Sequence, residues 1–201
     1  TYTALRKIEK KKDANGKLRF YLNNKIIYML GTLDQGYFPD GLYTPATEKA
    51  MIYDLKKLKD LGFNTIRKHV KVEPSLYYYY TDKLGFLVWQ DMVSGENLTK
   101  FWNRTHYNGG KDVNRTLKSK NNYYYEWKNI MNFCKFFQSI VMWIPFNEGW
   151  GQFDTKKVVD FTRSIDKSRL INSASGGNYR YCGDILDLHK YPTPQNIITL
   201  K

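Results

Sequence analysis

Short apolar runs alternate along this chain with stretches of helical period, and each run gives way to polar residues at its C-terminal end. Lys25 to Leu30 reads as the first core strand and leads into a polar segment, Gly31 to Tyr37, and a Pro39-Asp40-Gly41 turn. From Thr47 to Leu61, Ala50, Met51, Leu55, Leu58 and Leu61 recur at close to the α-helical period, with lysines between them. Thr47 is the expected N-cap and Gly62 the stop. Phe63 to Val70 is the second strand, and because strand side chains alternate it carries Arg67 and His69 on one face. A helix from Pro74 to Leu84 ends at Gly85, and the third strand, Phe86 to Gln90, finishes at Asp91. Tyr123 to Phe137 is the next helix, Ile140 to Phe146 the fourth strand and Asp154 to Ile165 a further helix. Arg169 to Ala174 and Ile185 to Leu188 are the fifth and sixth strands, the latter ending at His189 and Tyr191. Leu61-Gly62-Phe63 and Leu84-Gly85-Phe86 repeat one helix-to-strand junction. Such alternation predicts right-handed βαβ units and a parallel sheet. The expected class is α/β, either a (β/α)8 barrel with about six of its eight strands present or a large doubly wound sheet.

Ahead of this pattern, residues 1–22 are polar and basic, with an Asn15-Gly16 turn between Tyr2 to Ile8 and Leu18 to Leu22. They are expected to be a linker or the end of a preceding β domain, and residues 23–201 a partial barrel. Residues 92–120 interrupt the rhythm with a loop too long for a routine connection. Its three Asn-x-Thr sequons, at Asn97, Asn103 and Asn114, matter only in a protein secreted by a eukaryote.

Composition narrows the function classes. The 201 residues, 42 % of them hydrophobic, suffice for a sizeable core, and no apolar run reaches transmembrane length. The chain begins at Thr1, so the lack of a signal peptide says nothing of compartment. A net charge of +13 invites polyanion binding. The lysines, however, are spread out, with one cluster at Lys7 and Lys10 to Lys12, and no nucleic-acid motif accompanies them. Neither a nucleic-acid nor a membrane partner is expected. Cys134, Cys182, His69, His106 and His189 are scattered, giving no disulfide framework and no closed zinc site, and no cofactor is expected.

The candidate chemistry centres on Ser139 to Thr155, SIVMWIPFNEGWGQFDT. Its first half reads as a strand buried on both faces, and it delivers Asn147 and Glu148 off its C-terminal end, flanked by Trp143 and Trp150. In α/β folds ligands bind at that end of the strands, which makes an ionisable residue there a functional candidate. The blander alternative is that Glu148 caps the helix near Asp154. By position Asp34, Asp91, His189 and Tyr191 also end strands and are expected to line the same pocket.

DQGYFPDGLYTPAT, FNTIRKHVKVEP, GFLVWQD, IVMWIPFNEGWGQFDT, SASGGN and DLHKYP together resemble glycoside hydrolase family 2, closest to its β-galactosidase and β-glucuronidase-like members. The resemblance implies a TIM barrel that hydrolyses β-glycosides by retaining double displacement, with Glu148 as general acid/base and Asn147 touching the sugar 2-hydroxyl. It implies that Arg67 and His69 help to shape the sugar subsite and that Trp150 faces a sugar ring, with Trp143 and Trp150 favouring a neutral Glu148. The mechanism needs a second carboxylate, a Glu on a later strand, yet no Glu follows Glu148. The chain is therefore expected to be a piece of a longer enzyme or the product of a shortened gene, lacking the last two barrel strands and inactive by itself. A catalytically inactive carbohydrate-binding remnant is the alternative. A carbohydrate is the expected partner and a periplasmic or secreted location the implied one. Arg67, Lys68 and Lys71 hint weakly at an acidic sugar.

Overall fold

The computed structural model describes residues 2–93, 95, 111–149 and 151–189. Two sheets organise them. Strands β1 (Ile8–Lys12), β2 (Leu18–Leu22) and β3 (Lys25–Ile27) form an antiparallel sheet in that order. Strands β4 (Gly31–Asp34), β5 (Thr65–Lys68), β6 (Leu87–Asp91), β7 (Ile140–Ile144) and β8 (Leu170–Ile171) form a wholly parallel sheet, also in chain order. Helices α1 (Glu48–Asp60), α2 (Ser75–Leu84), α3 (Leu117–Cys134) and α4 (Thr155–Ile165) fill the connections after β4, β5, β6 and β7. This is part of a (β/α)8 barrel.

The two faces of the parallel sheet have separate cores. Ile66, Val88, Ile140, Trp143 and Ile171 pack outward against the helices. Leu87, Met142, Ile144 and Leu170 face inward, where Ile8 and the partly buried Phe20, Leu22 and Ile27 of the antiparallel sheet, with Met29 just after it, meet them. The small sheet thus packs on the inner face of the parallel sheet. Strand β7 is buried at all five positions, as its unbroken apolar sequence requires.

The helix ends follow local chemistry. Thr47 accepts the Ala50 amide at 3.1 Å, and Gly62 follows the last turn of α1 at φ 87°. Gly85 closes α2 at φ 69°. Helix α3 begins at Leu117, six residues before the expected Tyr123, because Thr116 caps it by accepting the Ser119 amide. Its polar first turns carry no apolar period to reveal them.

Three strand expectations are corrected. The run Lys25 to Leu30 is not the first barrel strand: Asn23 and Asn24, at φ 49° and 67°, turn it back so that Lys25–Ile27 pairs antiparallel with β2. The first barrel strand is Gly31–Asp34. The leading hairpin strand is Ile8–Lys12 rather than Tyr2 to Ile8, since the Asp13 carboxylate accepts the Asn15 and Lys17 amides and fixes the register up to the turn. Ile185 to Leu188 forms no strand. There the Asp184 carboxylate, rather than a backbone carbonyl, accepts the Ile171 amide at 2.8 Å, while the Asp184 amide donates to the Ile171 carbonyl at 2.7 Å.

Behind the sheet a buried ion cluster ties the segment after β4 to the segment after β5. Lys68 pairs with Asp34 at 3.0 Å and Glu73 at 2.5 Å, and Lys71 pairs with Glu73 at 2.9 Å while donating to the Gly36 and Tyr43 carbonyls. Gly36, at φ 67°, lies against it, and a β-carbon there would fall 2.3 Å from a Glu73 oxygen and 2.7 Å from the Lys68 nitrogen. Yielding would break a buried charge pair. Gly36→Ala is therefore expected to cost about 2–4 kcal/mol in urea unfolding, and a loss below about 0.5 kcal/mol would contradict this packing.

Candidate active site

At the C-terminal ends of β5, β6 and β7 the side chains converge on one group. Arg67 points inward from β5 and grips Asp91 through two bonds, Nε to Oδ1 at 3.1 Å and Nη2 to Oδ2 at 2.9 Å. Its Nη2 also donates to Asn147 Oδ1 at 2.7 Å. Asp91 is 1 % exposed and accepts the Val70 amide as well. A fork held by a carboxylate positions the amide of Asn147 with little freedom.

Burial pushes the Asp91 carboxyl up to about 6, with Arg67 and the Val70 amide opposing it only in part. A folded-state value above the unfolded one means that the native state takes up the proton first. The contribution of Asp91 to stability is then greatest below about pH 4 and is lost as pH rises through about 6. In denaturant titrations at several pH values, wild type should lose stability relative to Asp91→Asn across that window, and a gain would refute the assignment.

Beyond the strand, Asn147 forms a bridge with Ser175, and the Glu148 amide donates to the Ser175 carbonyl at 2.8 Å. Glu148 adopts φ 48°. A strained non-glycine backbone of this kind persists where its surroundings over-determine it. Its carboxylate lies 3.0 Å from His189 Nδ1. His189 Nε2 lies 2.9 Å from the Ser175 hydroxyl and 3.4 Å from Arg67 Nη1. His69 sits against the same group, with Gln35 Nε2 3.2 Å from its Nδ1. Burial and then Arg67 lower its affinity for a proton, opposed by a hydrogen bond to Asn147, so the ring is neutral at pH 7.

The structure therefore brings together Arg67, His69, Asp91, Asn147, Glu148 and His189 of the residues expected from sequence. It does not bring Asp34. Leu33 pairs in register with Arg67, which leaves Asp34 beside Lys68 on the helix side of the sheet, where Tyr77 donates to it at 2.8 Å. Trp143 is turned the same way: it packs edge-on to Trp127 and donates to Asp166 at 2.9 Å, in the outer core. Trp150 and Tyr191 lie outside the described residues. Gln35, Asn172, Ser175 and Asp187 were not singled out from sequence. Gln35 and Asn172 directly follow β4 and β8, but the expected strands, Lys25 to Leu30 and Arg169 to Ala174, put the strand ends elsewhere, and Ser175 and Asp187 lie outside the named strands. Among the described residues no group of His, Cys, Asp and Glu side chains could hold a metal ion.

Residues 15–197 match the profile of "Glycosyl hydrolases family 2, TIM barrel domain". The chain belongs to glycosyl hydrolase family 2. As a family 2 barrel it is 26 % identical over 155 residues to a β-galactosidase of Lactobacillus delbrueckii subsp. bulgaricus, covering 75 % of this chain and 15 % of that protein. It is 29 % identical over 104 residues to an exo-β-D-glucosaminidase of Amycolatopsis orientalis, covering 47 % of this chain and 10 % of the relative. Among solved structures, a family 2 β-galacturonidase from Eisenbergiella tayi bound to galacturonate superposes with a TM-score of 0.67 at 18 % identity, over 86 % of this chain and 29 % of its own. The β-glucuronidase of Parabacteroides merdae gives 0.61 at 20 % identity, over 84 % and 20 %. At such identity these two establish the fold. The chain spans a minor part of the length of every one of these relatives.

Proposed function

We propose that this family 2 barrel supplies the general acid/base of a retaining β-glycosidase, with Glu148 in that role. The observation that carries the reading is the carboxylate of Glu148 at the mouth of the barrel, 3.0 Å from His189 and next in sequence to an Asn147 side chain clamped by Arg67. In the first step a protonated Glu148 gives its proton to the departing glycosidic oxygen while a second carboxylate attacks the anomeric carbon. In the second step Glu148, now ionised, takes a proton from the water that attacks the anomeric carbon, breaking its bond to the second carboxylate and releasing the sugar.

Asn147 has its carbonyl oxygen committed to Arg67, so its amide protons are directed elsewhere and are suited to donate to the sugar 2-hydroxyl. Arg67 and Asp91 serve as the brace for that amide. His69, neutral and against Asn147, lines the same subsite. Asp34 belongs to the ion cluster behind the sheet and is assigned no sugar contact.

No glutamate follows Glu148 in the sequence, and the second carboxylate of a retaining pair stands about 5–5.5 Å from the first. The 201-residue polypeptide alone is therefore expected to show no turnover. A carbohydrate-binding remnant without catalysis is the second reading, which the same experiment separates from the first. The deciding experiment is hydrolysis of a panel of aryl β-glycosides, uronides included, by the intact protein, with the anomer of the first-formed product followed by NMR. Release of the β-anomer supports the proposal. Binding of monosaccharides with no hydrolysis of any panel member supports the remnant, and release of the α-anomer removes double displacement.

A further inference from the structure

The surroundings of His189 decide which of its nitrogens carries a proton. Asp187 Oδ2 accepts two hydrogen bonds, from Asn172 Nδ2 at 2.7 Å and from the Ser175 hydroxyl at 2.5 Å. An ionised carboxylate only accepts, so the single proton of Ser175 is directed at Asp187. What Ser175 Oγ then presents to His189 Nε2, 2.9 Å away, is a lone pair. The short contact forms only if Nε2 bears hydrogen. Asp187 Oδ1, 3.8 Å from Nε2, favours the same state. Arg67 Nη1, itself a donor, lies farther off at 3.4 Å and already has Asp91 and Asn147 as partners through its other nitrogens.

With hydrogen on Nε2, a neutral ring presents a lone pair at Nδ1, and Nδ1 is the atom 3.0 Å from Glu148 Oε1. Two bare acceptors do not sit at that distance, so a proton lies between them. The ring has little room to turn away: a β-carbon on Gly176, which holds φ 63°, would come within 2.2 Å of it. Among the described residues, charged and titratable groups facing His189 include Glu148, Asp187 and Arg67, with His69 and Asp91 in the next layer.

We infer that Asp187 and Ser175 form a relay that fixes His189 with its proton on Nε2, so that Nδ1 and Glu148 hold one further proton between them. His189 is a positioning residue in this scheme, and the inference rests on the assignment of Glu148 as general acid/base. A general acid must hold a proton before substrate arrives, and a hydrogen-bond acceptor at Nδ1 favours the protonated carboxyl. The opposite tautomer would present Nδ1–H to Glu148 and favour the carboxylate.

The test is long-range 1H–15N NMR of the intact protein with labelled histidine rings, the His189 signals being assigned against His189→Gln. Wild type should show the neutral ring protonated on Nε2. Two variants should shift the neutral ring from predominantly Nε2–H to predominantly Nδ1–H by different routes. Ser175→Ala removes the acceptor and leaves Nε2 facing Arg67, whereas Asp187→Ala releases the serine proton to point at Nε2. A wild-type ring protonated on Nδ1 alone, or no shift in either folded variant, overturns the relay. Neither readout requires turnover. Hydrolysis that survives Glu148→Gln would instead overturn the acid/base assignment while leaving the tautomer result standing, so the two failures are told apart.

Discussion

Glu148→Gln is expected to lower kcat/KM of the intact protein about 10²–10⁴-fold on β-glycosides whose leaving group is an alcohol or a sugar. Glutamine keeps the size and hydrogen-bonding reach of the carboxyl but has no proton to transfer. The loss should shrink for aryl glycosides with strongly acidic phenols, because such a leaving group departs without protonation. Deglycosylation then limits the rate, and a small external anion that replaces the base-activated water should restore part of it. Arrest of every substrate to the same degree, together with a fall in thermal stability, would mean that Glu148 holds the loop rather than the proton. The left-handed backbone of Glu148 is the reason for measuring stability alongside rate: glutamine keeps that strain, so the fold is not expected to change.

The largest effect on stability is expected at Arg169, remote from the site. Its guanidinium, almost fully buried, donates to the Ile140 carbonyl at 2.7 Å, the Lys135 carbonyl at 2.8 Å, the Phe137 carbonyl at 2.9 Å and Asp166 at 2.7 Å. It thereby joins the end of α3, the start of β7 and the start of β8. Burial by itself would raise the Asp166 carboxyl, but Arg169 and the bonds from Ser168 outweigh it and hold it at about 2. Arg169→Ala takes the guanidinium donors from the Lys135, Phe137 and Ile140 carbonyls and leaves Asp166, still bonded to Trp143 and Ser168, without its charge partner, and is expected to cost about 3–5 kcal/mol at pH 7. The pH dependence provides a second check. A depressed carboxyl contributes stability that is present above about pH 4 and is lost as pH falls toward 2. The gap between wild type and variant, read from urea unfolding, should therefore narrow in acid. A gap under about 1 kcal/mol, or one that widens in acid, would show that Arg169 is not the tie described.

Legibility from sequence divided along a physical line. Where a feature rests on local period or on a single residue's backbone preference, the sequence carried it. The β7 run, the caps at Thr47 and Gly85, and the shared face of Arg67 and His69 are of this kind. So was the candidacy of Glu148, because a buried strand that ends in a carboxylate is a statement about neighbours in the chain. Lys25–Ile27 was misplaced because a short apolar run fits an antiparallel hairpin as well as a barrel strand, and the asparagine turn before it decided between them.

The site itself needed the tertiary structure. Whether Asp34 or Trp143 faces the pocket depends on parity within a strand, and parity is set by pairing with a strand distant in sequence: Leu33 against Arg67, Trp89 against Met142. The contacts of Ser175, Asp187 and Gln35 with the two histidines join segments whose residues carry no common motif. By itself the sequence determined that the chain is a parallel α/β unit of family 2 and which carboxylate leaves its most buried strand. Only the folded chain decided which polar side chains surround that carboxylate, because hydrogen bonds are specified by position in space and hydrophobic periodicity is specified along the chain.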